Sequence, residues 1–209
     1  MNPKRSSVIK LSLMFCVLVN LSWVAVTNAS EEEAKPELAQ YKQTTLELYV
    51  TAAEAYEKWQ AAPDTIKVLD VRTLEEYIFV GHATMSQNIP LYYQTDGWNV
   101  ERGRYNMQPN PDFVSQVKQI ASPDETLLVM CRSGGRGAMA VNQLAEAGFS
   151  QVYNIVDGME GDAVDDPESV FQGQRLKNGW KNSGLPWTYK IDPDRLPLTA
   201  TVDVSHDSK

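Results

Sequence analysis

The sequence predicts an α/β fold in which a parallel β-sheet is covered by helices on both faces. Short apolar runs of strand length occur at residues 66–71 and 127–130, and segments with helix start signals follow them. Strands that alternate with helices at this spacing are typical of a parallel sheet. Ligands of such sheets bind beyond the carboxyl ends of the strands, so residues that follow a strand are the first candidates for a site.

The hydrophobic pattern predicts five strands and four helices. The strands are expected at residues 46–50, 66–71, 88–91, 127–130 and 149–156. The helices are expected over residues 51–60, from 73 for a short stretch, over 110–121 and over 136–147. Threonine–glutamate capping boxes begin the first two helices, and Gly148 ends the last one. Residues 92–109 are rich in aromatic residues and turn formers, and we expect an ordered loop there.

The composition indicates one globular domain with tails or a processed end. The 209 residues are 43% hydrophobic and 22% charged, which excludes a disordered chain, a collagen and a polytopic membrane protein. A formal net charge of −8 argues against nucleic-acid binding, which needs a basic face. Two cysteines and two histidines exclude a structural zinc site, and the sequence indicates neither a metal nor a cofactor.

The amino-terminal segment has the pattern of a secretory signal peptide. Lys4, Arg5 and Lys10 lie before or at the start of an apolar run over residues 11–26, and small residues follow it. The run is shorter than the roughly 20 residues that span a membrane, which favours cleavage after Ala29 over an uncleaved membrane anchor. We therefore expect a periplasmic protein with no stable membrane anchor after processing.

Cleavage would remove Cys16 and leave Cys131 as the single cysteine of the mature chain. An odd cysteine in an exported protein indicates intermolecular pairing or a reactive thiol, and the alternative is a buried, inert side chain. Three glycines among residues 132–137 favour reactivity, because they let backbone N–H groups turn inward. With the positive end of the following helix, these groups form an anion cradle that stabilises a thiolate.

This loop resembles the active-site loop of the single-domain rhodaneses. Two further motifs of that family occur in order: Asp70-Val71-Arg72 with Glu76-Tyr77, and Gly81-His82 with Asn88-Ile89-Pro90-Leu91. The likeness covers residues 46–158, over half of the chain. It implies a rhodanese-like five-stranded parallel sheet with helices on both faces. It also implies the transfer of a sulfane sulfur through a cysteine persulfide.

The resemblance implies a role for each motif residue. Cys131 is the expected catalytic residue, which accepts the sulfur. An anionic donor such as thiosulfate would be bound by the cationic side chains of Arg132 and Arg136. The backbone amides of the loop, Arg132, Ser133, Gly134, Gly135 and Arg136, would bind it as well. Structural support would come from Asp70, Arg72, Glu76 and His82, the first three as an ion-pair network that braces the loop. An acid–base role for His82 is the less favoured alternative.

Three functions remain open on the sequence. The first is a sulfurtransferase that passes sulfur from a small-molecule donor to a thiol or cyanide-like acceptor. The second is a non-catalytic rhodanese-like binding module in a sulfur or redox pathway. The third is a cysteine-dependent phosphatase or arsenate reductase, which is disfavoured because those enzymes use Cys-x5-Arg, whereas Arg136 makes this loop Cys-x4-Arg. An oxidising compartment threatens a free thiolate, so we expect either a redox partner protein or a protected persulfide resting state.

The domain organisation follows from these assignments. We expect a signal peptide at 1–29, a loose polar leader at 30–44, the rhodanese domain at 45–158, an extension packed on it by aromatic anchors at 159–196, and a frayed tail at 197–209. Residues 92–109 either wall the active site and select the donor or form a surface flap. Acidic residues between 162 and 168 lack the ligand spacing of a calcium loop, so a solvated loop is expected there.

Overall fold

The computed structural model describes residues 38–196, which contain nine strands and four α-helices. The strands are β1 (Tyr49–Val50), β2 (Ile66–Asp70), β3 (His82–Ala83), β4 (Gln87–Asn88), β5 (Tyr92–Asn99), β6 (Arg104–Pro109), β7 (Thr126–Met130), β8 (Val152–Ile155) and β9 (Trp187–Thr188). The helices are α1 (Ala52–Ala61), α2 (Leu74–Phe79), α3 (Phe113–Ile120) and α4 (Gly135–Glu146). The predicted signal peptide, Cys16, the start of the leader and the tail 197–209 lie outside the described residues. No helix within 38–196 has the length and hydrophobicity needed to cross a membrane.

Five of the strands form a parallel sheet in the order β1-β8-β7-β2-β4. The predicted fold class is therefore confirmed. The central strand β7 pairs with the whole of β2 on one side and with β8 on the other. Because parallel strands end at the same edge of a sheet, Val71, Cys131 and Val156 all begin loops at that edge.

The central strand is buried on both faces. Leu127 and Val129 belong to an apolar cluster with residues of α3 and α4, whereas Leu128 and Met130 pack with residues of α1. All four side chains are fully buried. Each contributes roughly 1.5–3 kcal/mol of transfer free energy, and a slip by one residue would exchange the two faces. The register of β7, and so the position of the loop that follows it, is strongly specified.

Both predicted capping boxes are present. The hydroxyls of Thr51 and Thr73 accept hydrogen bonds from the backbone N–H groups of Glu54 and Glu76, and each glutamate accepts one from its threonine N–H. These contacts satisfy N–H groups that a helix start would otherwise leave unpaired. The start of α2 is therefore fixed, and with it the position of Glu76.

The expected ordered loop over residues 92–109 is wrong, because β5 and β6 form an antiparallel hairpin there. Trp98 lies opposite Tyr105, and their rings meet edge to face with centroids 5.2 Å apart. Most side chains of both strands are exposed, so the segment lacks the alternating buried pattern that predicts strands. Cross-strand pairs rather than core burial stabilise this hairpin.

Several predicted element boundaries are also wrong. Helix α3 begins at Phe113 rather than at Asn110, whose buried side chain instead binds backbone groups before and after it. Strand β8 begins at Val152 rather than at Phe149, whose N–H still bonds to the last turn of α4. Strand β1 has only two residues, because Glu47 adopts a φ of +53°, which is incompatible with an extended strand.

Part of the polar leader is ordered rather than loose. Residues 40–42 form a 3₁₀ turn, and Lys42 is buried. The Lys42 ammonium group donates to Asp162 Oδ1 at 2.8 Å. Asp162 belongs to the acidic segment that was expected to be solvated, and this ion pair instead ties the segment to the turn.

The segment after β8 packs against the domain through the side chain of Trp180. This side chain is fully buried in the cluster that contains the α1 residues, and its Nε1 donates to the Pro186 carbonyl at 2.9 Å. Farther on, β9 pairs antiparallel with β3. Lys181 connects the end of α2 to β9, since its Nζ donates to the carbonyl of Val80, the C-cap residue of α2, and lies 3.9 Å from the centroid of the Trp187 ring.

We predict that Trp180→Ala lowers the free energy of unfolding by about 3–5 kcal/mol, the usual cost of removing a large buried aromatic side chain. Urea denaturation followed by circular dichroism would measure it. Phe79→Ala is the matched control, because Phe79 is 78% exposed and its removal should change stability by less than about 0.5 kcal/mol. Equal losses in the two variants would contradict the proposed anchoring by Trp180.

Candidate active site

Cys131 lies at the end of β7, in the loop that leads into α4. Its side chain is buried, and its Sγ accepts a hydrogen bond from the Gly134 N–H at 3.1 Å. Gly134 is the N-cap residue of α4, so the thiol lies at the positive end of a 12-residue helix. Unpaired N–H groups and the helix dipole both favour negative charge at that position.

The shape of this loop depends on Gly134. Its φ of +95° lies in the left-handed region, which side chains other than that of glycine rarely allow. A Cβ atom at this position would also lie 2.3 Å from the carbonyl oxygen of Val156, which follows β8. The loop can approach the end of β8 so closely only because residue 134 has no side chain.

The outer side of the loop is held by the segment that follows β8. The carbonyl oxygens of Cys131 and Arg132 accept hydrogen bonds from the N–H groups of Met159 and Glu160, at 2.8 and 2.9 Å. In a trans peptide the N–H points opposite to the carbonyl of the same peptide unit. The N–H groups of Arg132 and Ser133 therefore point away from residues 159–160, to the other side of the loop.

Arg136, in the first turn of α4, is bound by Glu76 of α2. Its Nη1 and Nη2 donate to Oε2 and Oε1 of Glu76, both at 2.6 Å. Burial alone would lower the pKa of Arg136, but the hydrogen bonds and the charge of Glu76 outweigh burial and raise it. Burial would raise the pKa of Glu76, but the hydrogen bonds from Arg136 and the Thr73 N–H outweigh burial and lower it. Both groups stay ionised, and a fixed positive charge lies near the thiol.

Asp70 and Arg72 form a second, fully buried ion pair. Arg72 Nη2 donates to Asp70 Oδ2 at 2.6 Å and to the Gly81 carbonyl at 2.8 Å. Burial alone would lower the pKa of Arg72, but Asp70 outweighs it and raises the pKa. The Asn88 side chain donates to the backbone carbonyls of residues 70 and 72, both at 3.0 Å, and so joins the segment that carries this pair to β4. The expected single network of Asp70, Arg72 and Glu76 is therefore two pairs, of which only Glu76–Arg136 binds the cysteine loop and helix.

His82 lies in β3 and packs on α2. Its Nδ1 lies 3.1 Å from the Tyr77 carbonyl oxygen, and its ring stacks on the Tyr77 ring with centroids 3.8 Å apart. The Tyr77 hydroxyl donates to the Ser86 carbonyl, and burial raises the pKa of Tyr77 to about 12. These contacts fasten α2 to β3 and favour a structural role for His82 over an acid–base role.

The other predicted loop residues differ in accessibility. The Arg132 side chain is 50% exposed, and its Nε lies 3.5 Å from Glu160 Oε2. Exposed pairs of this kind contribute only about 0–1 kcal/mol, so an anion can displace Glu160. Ser133 and Gly135 are partly buried. Since both terminal nitrogens of Arg136 bind Glu76, Arg132 is the more available of the two arginines expected to pair with a donor.

Two supporting residues of the site were not predicted. Asn154 is fully buried in β8, and its Nδ2 donates to the carbonyls of Gly134 and Lys42 at 3.1 and 3.0 Å. Asp157 accepts hydrogen bonds from the N–H groups of Ala52 and Gly179, while burial raises its pKa. In the sequence, Asn154 is distinguished only as a polar residue inside an otherwise apolar strand, and this is the pattern that could have indicated its role.

Residues 51–163 match the family model for the rhodanese-like domain. The chain belongs to the rhodanese family. The resemblance carried by the cysteine loop and the two upstream motifs is thus confirmed, and the five-stranded parallel sheet agrees with the fold that the resemblance implied.

Curated relatives and a solved structure are consistent with this rhodanese assignment. The chain is 39% identical over 92 residues to "Thiosulfate sulfurtransferase 16, chloroplastic" from Arabidopsis thaliana, which covers 44% of this chain and 69% of that protein. It has the same identity over 92 residues to the Arabidopsis "Protein HIGH ARSENIC CONTENT 1, mitochondrial", again 44% of this chain but about half (49%) of that relative's length. The crystal structure of Rv0390 from M. tuberculosis superposes with a TM-score of 0.52 and 26% identity, covering 68% of this chain and 96% of that one.

We predict that Gly134→Ala lowers the free energy of unfolding by more than the strain of a left-handed backbone alone would. Gly148→Ala is the matched control, since Gly148 has a φ of +96° but nothing within 4 Å of an added Cβ. Left-handed strain costs about 1–3 kcal/mol in both variants. Only Gly134→Ala adds the clash with Val156, so its loss of unfolding free energy should be clearly larger in urea denaturation. Equal losses of unfolding free energy in the two variants would contradict this prediction, because the loop would then avoid the clash with Val156 without loss of stability.

We predict that Glu76→Gln makes stability less dependent on pH in the acid range. Because the pKa of Glu76 is lowered on folding, its ionised form stabilises the fold above its unfolded pKa of about 4.3, and this contribution is lost as the pH falls through the folded value. The unfolding free energy of the native chain should therefore fall more steeply below about pH 4 than that of the variant. Glu57→Gln, on exposed α1 surface, should leave the native slope unchanged.

Proposed function

We propose that this rhodanese is a sulfurtransferase that carries a sulfane sulfur as a persulfide on Cys131. The observation that carries the proposal is the Gly134 N–H directed at Sγ from the start of α4. A thiolate and a persulfide anion both need this kind of stabilisation, and an inert core cysteine does not. The name of the Arabidopsis relative, a thiosulfate sulfurtransferase, supports the same chemistry.

The first half-reaction loads the sulfur. With thiosulfate as donor, the Cys131 thiolate attacks the outer sulfur and a new S–S bond forms at Sγ. The bond between that sulfur and the sulfonate sulfur breaks, and its electron pair leaves with sulfite. The negative charge that develops at the outer sulfur lies near the charge of Arg136 and the dipole of α4. The accessible Arg132 is placed to bind the sulfonate of the donor.

The second half-reaction unloads the sulfur. A nucleophilic acceptor, such as cyanide or a thiolate, attacks the outer sulfur of the persulfide. The Sγ–S bond breaks, its electron pair returns to Cys131 as thiolate, and thiocyanate or an acceptor persulfide departs. The cycle needs no metal and no external oxidant or reductant.

The Glu76–Arg136 pair disfavours phosphatase or arsenate reductase chemistry. Those reactions need a loop arginine whose N–H groups are free to bind the oxyanion, and here both terminal nitrogens of Arg136 are bound to Glu76 at 2.6 Å. The non-catalytic binding module is disfavoured by the presence of Cys131 in an intact glycine loop. We also propose that the protein is exported and processed after Ala29, as its amino-terminal pattern predicts.

We predict that purified protein gains the mass of one sulfur on Cys131 after incubation with thiosulfate and loses it to cyanide with release of thiocyanate. Intact-protein and peptide mass spectrometry would measure both steps. Cys131→Ser should show neither step while keeping the native urea midpoint. The same spectrum of protein secreted from its own leader tests processing, since residues 1–29 should be absent.

Other outcomes of this experiment would contradict the proposal. A chain that takes up no sulfur from thiosulfate, polysulfide or mercaptopyruvate is not a sulfurtransferase for these donors and would be assigned as a binding module. Sulfur uptake that persists in Cys131→Ser would place the reaction elsewhere. Hydrolysis of a phosphate ester that requires Cys131 would favour the phosphatase alternative.

A further inference from the structure

The hairpin β5–β6 and helix α4 line a cavity beside Arg136. A cavity of about 320 Å³ lies between the hairpin and α4, which is the size of a small organic ligand rather than of a single inorganic ion. Arg136 lines this cavity and also immediately follows the cysteine loop, so the cavity and the thiol share one cationic residue. Tyr92, at the base of the hairpin, contacts Met139 of α4 through its hydroxyl at 3.9 Å.

The cavity is unusually cationic for this acidic chain. Arg102, in the hairpin turn, and Arg104, at the start of β6, line it together with Arg136. Within residues 38–196, no carboxylate lies within ion-pair distance of Arg102 or Arg104. Arg102 and Arg104 therefore line the same cavity without an ion-paired carboxylate in the described part of the chain, although the chain carries an excess of acidic residues. Guanidinium groups in such a position bind carboxylates through two parallel hydrogen bonds.

The rest of the cavity wall suits an organic molecule. Tyr105 and Met107 of β6 and Met139 of α4 give it apolar surface. Hydrogen bonds hold the backbone of Arg102 in the hairpin turn. Its backbone N–H donates to Asn99 Oδ1 at 2.9 Å, and the Asn99 side chain in turn donates to the Asn106 side chain. The arginines are thus presented on a hydrogen-bonded turn beside apolar side chains.

We propose that this cavity binds the sulfur acceptor and that the acceptor is an organic thiol with two or more carboxylates. The inference rests on the proposed persulfide cycle. Arg102 and Arg104 bind the carboxylates, and the thiolate is directed past Arg136 to the outer sulfur of the Cys131 persulfide. The thiolate forms a bond to that sulfur, the Sγ–S bond breaks, and its electron pair returns to Cys131. A donor as small as thiosulfate needs only the cysteine loop.

The test measures sulfur transfer from pre-loaded protein to three thiols with different numbers of carboxylates. The probes are mercaptosuccinate with two carboxylates, 3-mercaptopropionate with one, and neutral 2-mercaptoethanol. In Arg102→Gln/Arg104→Gln, KM for mercaptosuccinate should rise about tenfold or more with little change in kcat, while transfer to 2-mercaptoethanol and loading from thiosulfate stay unchanged. The charge-matched control Lys118→Gln/Lys190→Gln, with both changes on exposed surface, should behave like the native chain.

A binding measurement separates failure of this inference from failure of the persulfide cycle. Succinate, which has no thiol, should bind unloaded native protein in calorimetry and should bind the double arginine variant at least about tenfold more weakly. If no persulfide forms, the proposed function is wrong, and succinate binding still decides whether the cavity takes dicarboxylates. If persulfide forms but the variant treats all three thiols as the native chain does, the acceptor assignment is overturned. It is also overturned if the variant slows only loading, because the cavity would then bind the donor.

Discussion

The ion pair between Glu76 and Arg136 is the interaction on which the geometry of the site depends. Glu76 belongs to α2, which follows β2, and Arg136 belongs to α4, which follows β7, so the pair connects the first turns of two helices at the carboxyl edge of the sheet. Glu76 also closes the capping box with Thr73. The carboxylate that fixes the start of one helix therefore also fixes a charge at the start of another. A change at Glu76 would disturb both, although it does not touch the thiol.

The cysteine loop is supported from the side opposite its chemistry. The segment after β8 donates hydrogen bonds to the carbonyl oxygens of residues 131 and 132, and the Asn154 side chain donates one to the carbonyl oxygen of Gly134. Because the N–H of a trans peptide points opposite to its carbonyl, the N–H groups of these peptide units point to the opposite side of the loop. No side chain is needed to orient them. The backbone of the loop therefore has the geometry that suits an anion, and that geometry is set by the segment after β8 and by Asn154 rather than by the side chains of the loop.

Sequence reasoning succeeded where burial or a local motif set the structure. The five strands of the sheet, the capping boxes at Thr51 and Thr73 and the position of Cys131 after β7 were all predictable, because each has a pattern of apolar runs or hydrogen-bonding side chains. The hairpin was not, because its strands are mostly exposed and stabilise each other by cross-strand pairs. Nor was the partner of Arg136, since a pair separated by 60 residues depends on how two helices are placed.

The distribution of charge is compatible with the anionic substrates that we propose, although the chain is acidic. A net charge of −8 repels polyanions that would contact a large surface. At physiological ionic strength, however, charges farther apart than about 8 Å are largely screened. A small anion therefore responds to the groups beside it, and near the thiol these are Arg132 with Glu160, Arg136 with Glu76, and the start of α4. Arg102 and Arg104 of the hairpin line a cavity with Arg136 and have no carboxylate within ion-pair distance among residues 38–196, so positive charge is concentrated there although the chain as a whole is acidic.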